Sequence, residues 1–303
     1  MKFVTFSAGE TETLRPGVLD EDGRILDVQQ AERQMIGDVT VPGELLMWME
    51  GGETVLDNVR NVVEWARDHQ DQSFFYERKA VRLAAPIPRP RKNVFCVGKN
   101  YADHAKELNK DEELPQHPIV FSKPPTTVSN PNSPVPLHNQ VTDFLDYEGE
   151  LAVVIGKTGR GIAKENAYDH IFGYTIINDL SARDIQQRHK QYLLGKSLDG
   201  SCPLGPWIVC KEEVGDPHDL HIETKVNGEV RQSADTRLMI FDIPTLLSVI
   251  SAGMTLEAGD IIATGTPAGV GKGLNPPKPL QDGDVVEVTV SGIGTLTNTV
   301  SRT

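Results

Sequence analysis

The chain has 303 residues with 43 acidic and 30 basic side chains, a formal charge of −13 that argues against nucleic acid and anionic membrane as partners. A chain this long buries a sizeable core without staples. Its three cysteines, Cys96, Cys202 and Cys210, have no CxxC spacing and fit buried thiols in a reducing compartment better than a disulfide framework or a zinc site.

The opening MKFVTFSAGETETLRPG holds no apolar stretch of signal-peptide length, and no run is long enough to span a bilayer, so a soluble, cytoplasmic protein is expected. Phe3 to Phe6, Val18 and Ile25 to Val28 read as short strands. Between Thr54 and His69, Leu56, Val59, Val62, Val63 and Ala66 recur at helical spacing, a core-facing stripe. The segment Ala85-Pro-Ile-Pro-Arg-Pro-Arg continues neither a helix nor a central strand. It predicts a boundary between residues 80 and 92, with a small N-terminal α/β domain over 1–84 and a larger domain over 85–303.

The larger part carries β-branched runs at Val94 to Val97, Leu151 to Ile155, Ile171 to Ile177, Ile208 to Cys210, Ile222 to Val226, Ile261 to Thr264 and Val285 to Val290. Asn227-Gly228 predicts a tight hairpin, and Gly292 to Gly294 a looser turn. Helices are expected only near Ala102 to Leu108, Ala182 to Gln191 and Ile243 to Ala252, too few for regular βαβ alternation. The fold class is α+β and predominantly β.

The sharpest chemical signal is Asp146-Tyr-Glu148-Gly-Glu150 running into Leu151-Ala-Val-Val-Ile. Side chains alternate along a strand, so Glu148 and Glu150 share a face and together attract a cation. Asp179 ends the apolar run Tyr174-Thr-Ile-Ile-Asn and stands at a rim. Three oxygen donors without Cys or His favour Mg²⁺ or Mn²⁺ over zinc, although three solvated surface acids would show the same spacing. In Asn100-Tyr-Ala-Asp-His104-Ala-Lys-Glu107, His104 and Glu107 are three apart on one helix face, where a carboxylate fixes the imidazole tautomer for a general base; a surface ion pair has the same pattern. Lys123 and Lys196, flanked by apolar or small residues, could set ammonium groups against a carboxylate or an enolate. The run Ala263 to Gly273 has the wrong glycine spacing for a Walker A loop, but its amides and the Thr266 hydroxyl could bind a carboxylate. His218 and His221 read as structural.

In their order, Gly98-Lys-Asn-Tyr-Ala-Asp-His104, Phe121-Ser-Lys123-Pro, Asp146-Tyr-Glu148-Gly-Glu150-Leu-Ala-Val-Val-Ile-Gly156, Asn178-Asp179-Leu-Ser-Ala-Arg183-Asp184, Lys196-Ser and Gly265-Thr266-Pro-Ala-Gly-Val-Gly271 resemble the fumarylacetoacetate hydrolase family from about Lys92 to the C-terminus. The resemblance implies a mixed β-sandwich roll, with Glu148, Glu150 and Asp179 as ligands of Mg²⁺ or Mn²⁺ and Lys196 beside the metal-bound substrate. It implies that His104 and Glu107 activate water from a segment that closes over the site as a lid, and that Lys123, Arg183, Gln186 and Thr266 contact substrate. It further implies a homodimer acting on a small 2-oxo acid. The first expectation is hydrolysis of a carbon–carbon bond in a 2,4-dioxo acid of the acylpyruvate or fumarylacetoacetate type. Decarboxylation of oxaloacetate and enol–keto isomerisation of a dicarboxylate would use the same electron sink, and a catalytically idle scaffold is the alternative of another class. The substrate's distal half is expected to meet loops at Asn109 to Gln116 and Thr126 to Leu137.

Overall fold

Period-two runs of β-branched residues become one long, mostly antiparallel sheet in the computed structural model, which describes residues 1–302 apart from Glu10, Gln70, Asp71, Asn109, Lys110 and Glu112. From edge to edge its strands are Phe75–Tyr76, Ile25–Asp27, Arg15–Leu19, Lys2–Ala8, Cys202–Cys210, Ile171–Asn178, Gly149–Ile155, Ile261–Ala263, Val94–Gly98 and Ile119–Lys123. A five-stranded sheet runs Glu229–Asp235, His221–Val226, Val285–Val290, Gly294–Ser301 and Pro134–Pro136. Strand outweighs helix, 33% against 27%, in line with the β-rich reading of the sequence.

The turns follow local chemistry. Asn227 and Gly228 both have positive φ, 52° and 77°, and join Val226 to Glu229 as a two-residue hairpin. Val290 pairs with Gly294 across the looser turn. Helices form at Ala102–Leu108, Arg183–His189 and Ile243–Ser251, the last capped by Asp242 accepting from Thr245 N–H. The stripe in the N-terminal part forms Gly52–Asp68. The helix Val28–Ile36 has no counterpart in the sequence reading; Asp27 caps it by accepting from Gln30 N–H, where Ile25 to Val28 had read as continuous strand.

Alternation along Gly149–Ile155 then fixes the layers. Leu151, Val153 and Ile155 face Ile222, Val286 and Val288 of the five-stranded sheet, forming the sandwich core. Ala152 and Val154 share a second core with Val59, Val62, Val63 and Trp48 of the N-terminal helices. Residues 1–84, expected as a domain of their own, therefore share a sheet and a core with the rest. Phe3 pairs with Ile208 in the sheet, and its ring lies 4.9 Å from Phe172 and 6.2 Å from Trp48. Local pattern in Lys2–Ala8 specifies a strand and, beside Arg15–Leu19, a nearby partner, but not its other partner, which lies some 200 residues further along the chain. Among the described residues no helix is long and apolar enough to cross a membrane.

Because Phe3 sits where both parts meet, Phe3→Ala is expected to cost about 3–5 kcal/mol. Urea unfolding followed by far-ultraviolet circular dichroism and by tryptophan fluorescence should stay coincident. Two separated transitions in the wild type would show that residues 1–84 unfold independently.

Candidate active site

The site forms at one end of the central strands, and strand register explains why. Gly149 pairs with Asn178, so the residues just beyond, Glu148 and Asp179, stand side by side, joined by Asp179 N–H donating to Glu148 O at 2.8 Å. Glu150 lies inside the strand, its Oε2 accepting Gly265 N–H at 2.7 Å. One oxygen from each of Glu148, Glu150 and Asp179 falls within 4.8 Å of the others, and all three residues are buried. The glycine between the two glutamates has a steric cause: a Cβ on Gly149 would collide with Thr224 Oγ1 and come within 2.8 Å of Val288 Cγ1 on the facing sheet.

Three buried cations answer these acids. Lys196 Nζ donates to Glu148 Oε2 at 2.6 Å and to Asp179 Oδ2 at 2.8 Å, and lies 5.0 Å from the centre of the Phe121 ring. Arg183 reaches Asp146 Oδ2 with Nε at 2.8 Å and Glu148 Oε1 with Nη1 at 2.7 Å. Lys123 Nζ donates to Leu180 O at 2.9 Å and lies 3.0 Å from Asp179 Oδ1.

The titration shifts follow from this arrangement. Burial opposes ionisation of Glu148, but Lys196 and Arg183 outweigh it and hold the carboxyl well below the usual carboxylate range. Glu150 goes the other way: burial first, then Asp179 and Glu148, push its carboxyl well above that range. Burial works against the Lys196 charge, yet Asp179 and Glu148 raise its affinity for the proton overall, so it stays an ammonium.

The His104–Glu107 pair comes from a neighbouring strand end. Val94–Gly98 runs parallel to Ile261–Ala263, and the helix Ala102–Leu108 follows at the same end. The turn between is pinned by buried Asn100, whose Nδ2 donates to Thr264 O at 2.8 Å and to Phe241 O at 3.0 Å. His104 Nδ1 lies 2.7 Å from Glu107 Oε1, while Glu107 Oε2 accepts Gly269 N–H at 2.9 Å.

These groups enclose a cavity of about 50 Å³ lined by His104, Glu148, Glu150, Arg183, Gln186, Lys196 and Thr266, with Val97, Gly98, Lys99, Phe121 and Tyr192 completing the wall. Glu107, Asp179 and Lys123 stand behind that lining. Lys123, expected against a substrate, is fully buried and spends its ammonium on Asp179 and Leu180 O instead. The Thr266 hydroxyl, expected to be free for a carboxylate, already donates to Gly149 O at 3.0 Å and accepts from Gln232 at 2.7 Å. Of the two loops expected to read a distal half, Asn109, Lys110 and Glu112 lie outside the described residues, and none of 126–137 lines the cavity. A larger groove of about 1090 Å³ opens at the other end of Gly149–Ile155, but its Arg60–Glu53 and Arg91–Glu50 ion pairs are self-neutralising.

The family model described as "Fumarylacetoacetate (FAA) hydrolase C-terminal" matches residues 93–301. The chain belongs to the fumarylacetoacetate hydrolase family. Over 99% of its length it is 51% identical to the whole of a Bacillus subtilis protein named oxaloacetate tautomerase YisK. A solved fumarylacetoacetate hydrolase from Exiguobacterium antarcticum, 43% identical, superposes with a TM-score of 0.81 and full coverage of both chains. A maleylpyruvate hydrolase from Sphingobium sp. SYK-6, solved with manganese(II) and pyruvate, is 29% identical with a TM-score of 0.76, covering 100% of this chain and 99% of that one.

Two residues of this family member carry weight that sequence reasoning did not assign. Asp146 accepts from Arg183 Nε, from Gly271 N–H at 2.7 Å and from Lys272 N–H at 3.1 Å, tying the glycine-rich loop to the acids; it shares the alternation of Glu148 and Glu150, the one signal that pointed to it. Gln232 comes from the five-stranded sheet and bonds Gly149 N–H and Thr266; no local pattern marks it.

Three crowded carboxylates strain the metal-free protein, and Glu150→Gln relieves that strain. With a chelator present, this variant should melt higher by roughly 2 °C or more, the shift that about 1 kcal/mol produces in a large domain. The raised folded-state affinity of Glu150 for its proton means that its contribution is fully present below the unfolded carboxylate value of about 4.3 and is lost as pH rises. The advantage of the variant should therefore vanish in acid and grow toward neutral pH; melting curves against pH showing no such trend would refute the reading.

Proposed function

We propose that the chain is a divalent-metal-dependent enzyme that interconverts the enol and keto forms of oxaloacetate. The observation that carries this reading is the meeting of three buried carboxylates with an ordered His–Glu pair around one small cavity. Tautomerisation needs one proton moved between C3 and the C2 oxygen, with no attacking water and no departing fragment to house. The 51% identity with a named oxaloacetate tautomerase supports the choice.

The residues suit Mg²⁺ or Mn²⁺. Glu148, Glu150 and Asp179 offer only oxygen donors within 4.8 Å of one another, and Lys196 Nζ between Glu148 and Asp179 shows that positive charge is accommodated there. A bound cation supplies Lewis acidity toward the oxygens of a 2-oxo acid.

The chain's own groups divide the remaining work. With Nδ1 held by Glu107, His104 keeps Nε2 for taking a proton from C3 or returning it. Lys196, held as an ammonium, donates hydrogen bonds and does not act as a base. Arg183 Nη2 is buried without a hydrogen-bond partner and is a ready donor to a carboxylate. Four acids, Asp146, Glu148, Glu150 and Asp179, face three cations in this network; a divalent ion turns the balance positive, complementary to a dicarboxylate.

Hydrolysis of a 2,4-dioxo acid is the second reading, favoured by the His104–Glu107 pair, which could equally hold a nucleophilic water.

The test is the rate at which freshly dissolved enol oxaloacetate loses its ultraviolet absorbance with Mn²⁺ and enzyme, with pyruvate and carbon dioxide measured alongside. Acetylpyruvate, with acetate measured, forms the second arm. Faster ketonisation without pyruvate, lost by about 100-fold or more in His104→Ala and lost in Glu148→Ala together with Mn²⁺ binding by calorimetry, is the expected result. Acetate release would move the assignment to hydrolysis, and pyruvate from oxaloacetate to decarboxylation. Turnover unaffected by chelator would end the metal-dependent reading, and absence of both metal binding and turnover would leave an idle scaffold.

A further inference from the structure

The glycine-rich loop after Ile261–Ala263 holds no phosphate-binding pattern, yet it is built closely around one side chain. Gly269 N–H donates to Glu107 Oε2 at 2.9 Å. Gly269 has φ of +105°, and a Cβ there would collide with Arg231 O, so both its backbone shape and its surroundings demand glycine. Gly273, four residues on, has no such backbone demand. A Cβ on it would instead strike the Glu107 carboxylate, lying 2.7 Å from Cδ and 3.0 Å from Cγ.

The loop is itself fixed. Gly271 and Lys272 N–H groups donate to Asp146, which is fully buried and ion-paired with Arg183, and the Tyr147 hydroxyl donates to Gly269 O at 2.8 Å. Glu107 therefore meets a braced receptor, one of its oxygens on Gly269 and the other on His104 Nδ1.

We propose that Gly269 and Gly273 are positioning residues for the His104–Glu107 pair: Gly269 supplies the amide that aims the Glu107 carboxylate, and Gly273 supplies the missing side chain that lets it arrive. This rests on the reading of His104 as the group that moves the proton. The carboxylate is the end of a flexible side chain while the loop is braced by Asp146, so a methyl group at Gly273 displaces Glu107 and leaves the loop in place. His104 then loses the partner that sets its tautomer, and the helix Ala102–Leu108 loses its tie to the loop.

The experiment is a double-mutant cycle on the full chain with Mn²⁺, using Gly273→Ala, Glu107→Ala and the pair. The readouts are kcat and KM for oxaloacetate ketonisation, and amide hydrogen exchange across residues 102–108. Gly273→Ala alone is expected to lower kcat by roughly 10- to 100-fold with KM little changed, and to speed exchange in the helix. In the Glu107→Ala background it should change neither. Replacing Glu107→Ala by Glu107→Asp, whose carboxylate ends one methylene short of the added methyl, should restore part of the kcat that Gly273→Ala removes. Equal losses in both backgrounds would mean a structural effect of the loop and overturn the proposal, as would an alanine at Gly273 that alters neither readout. Should oxaloacetate not be turned over, the functional reading falls while the exchange cycle, which needs no substrate, still decides this one.

Discussion

Everything in the site depends on packing four carboxyl groups together inside a protein. Asp146, Glu148, Glu150 and Asp179 are each at most 5% exposed, and burial of a charge is costly unless it is paired. Lys123, Arg183 and Lys196 answer Asp146, Glu148 and Asp179, each by contacting specific oxygens and not by general proximity. The compensation is uneven. Glu148 is held strongly acidic by two cations, whereas Glu150 has one backbone donor and two like charges beside it. Removing any of the three cations would strand a buried charge, which costs far more than the ion pair itself contributes.

The legible part of this arrangement was the part that depends on short-range periodicity. The alternation of Glu148 and Glu150 and the position of Asp179 at the end of an apolar run follow from a strand's period of two, and the three-residue spacing of His104 and Glu107 follows from a helix. The strand-rich fold and the tight turn at Asn227-Gly228 are of the same kind. What stayed hidden requires knowledge of which segments meet. Lys123 reads from its neighbours as an ammonium for a substrate, and only the tertiary structure turns it inward onto Asp179. Gln232 reaches Gly149 across 83 positions, and Asp146 catches the amide of Gly271 across 125.

The N-terminal residues show the same limit from the fold's side. Their helix stripe was plain, but the surface it covers belongs to Ala152, Val154 and Ile177, on the strands that carry the acids. The proline-rich segment after Ala84 interrupts secondary structure without interrupting the core. The N-terminal part thus braces the back of the strands whose ends form the site, although none of its residues lines the cavity among those described.

Gly149 bears on how this architecture could diversify. Because the residue between Glu148 and Glu150 is pressed against Thr224 and Val288, the spacing of the two acids is tied to the distance between the two sheets. Changing it would mean repacking the sandwich. The helix bearing His104 meets the cavity from outside that packing. The spacing of the acids is therefore anchored by the packing of two sheets, while the helix that brings His104 can drift in sequence without repacking them.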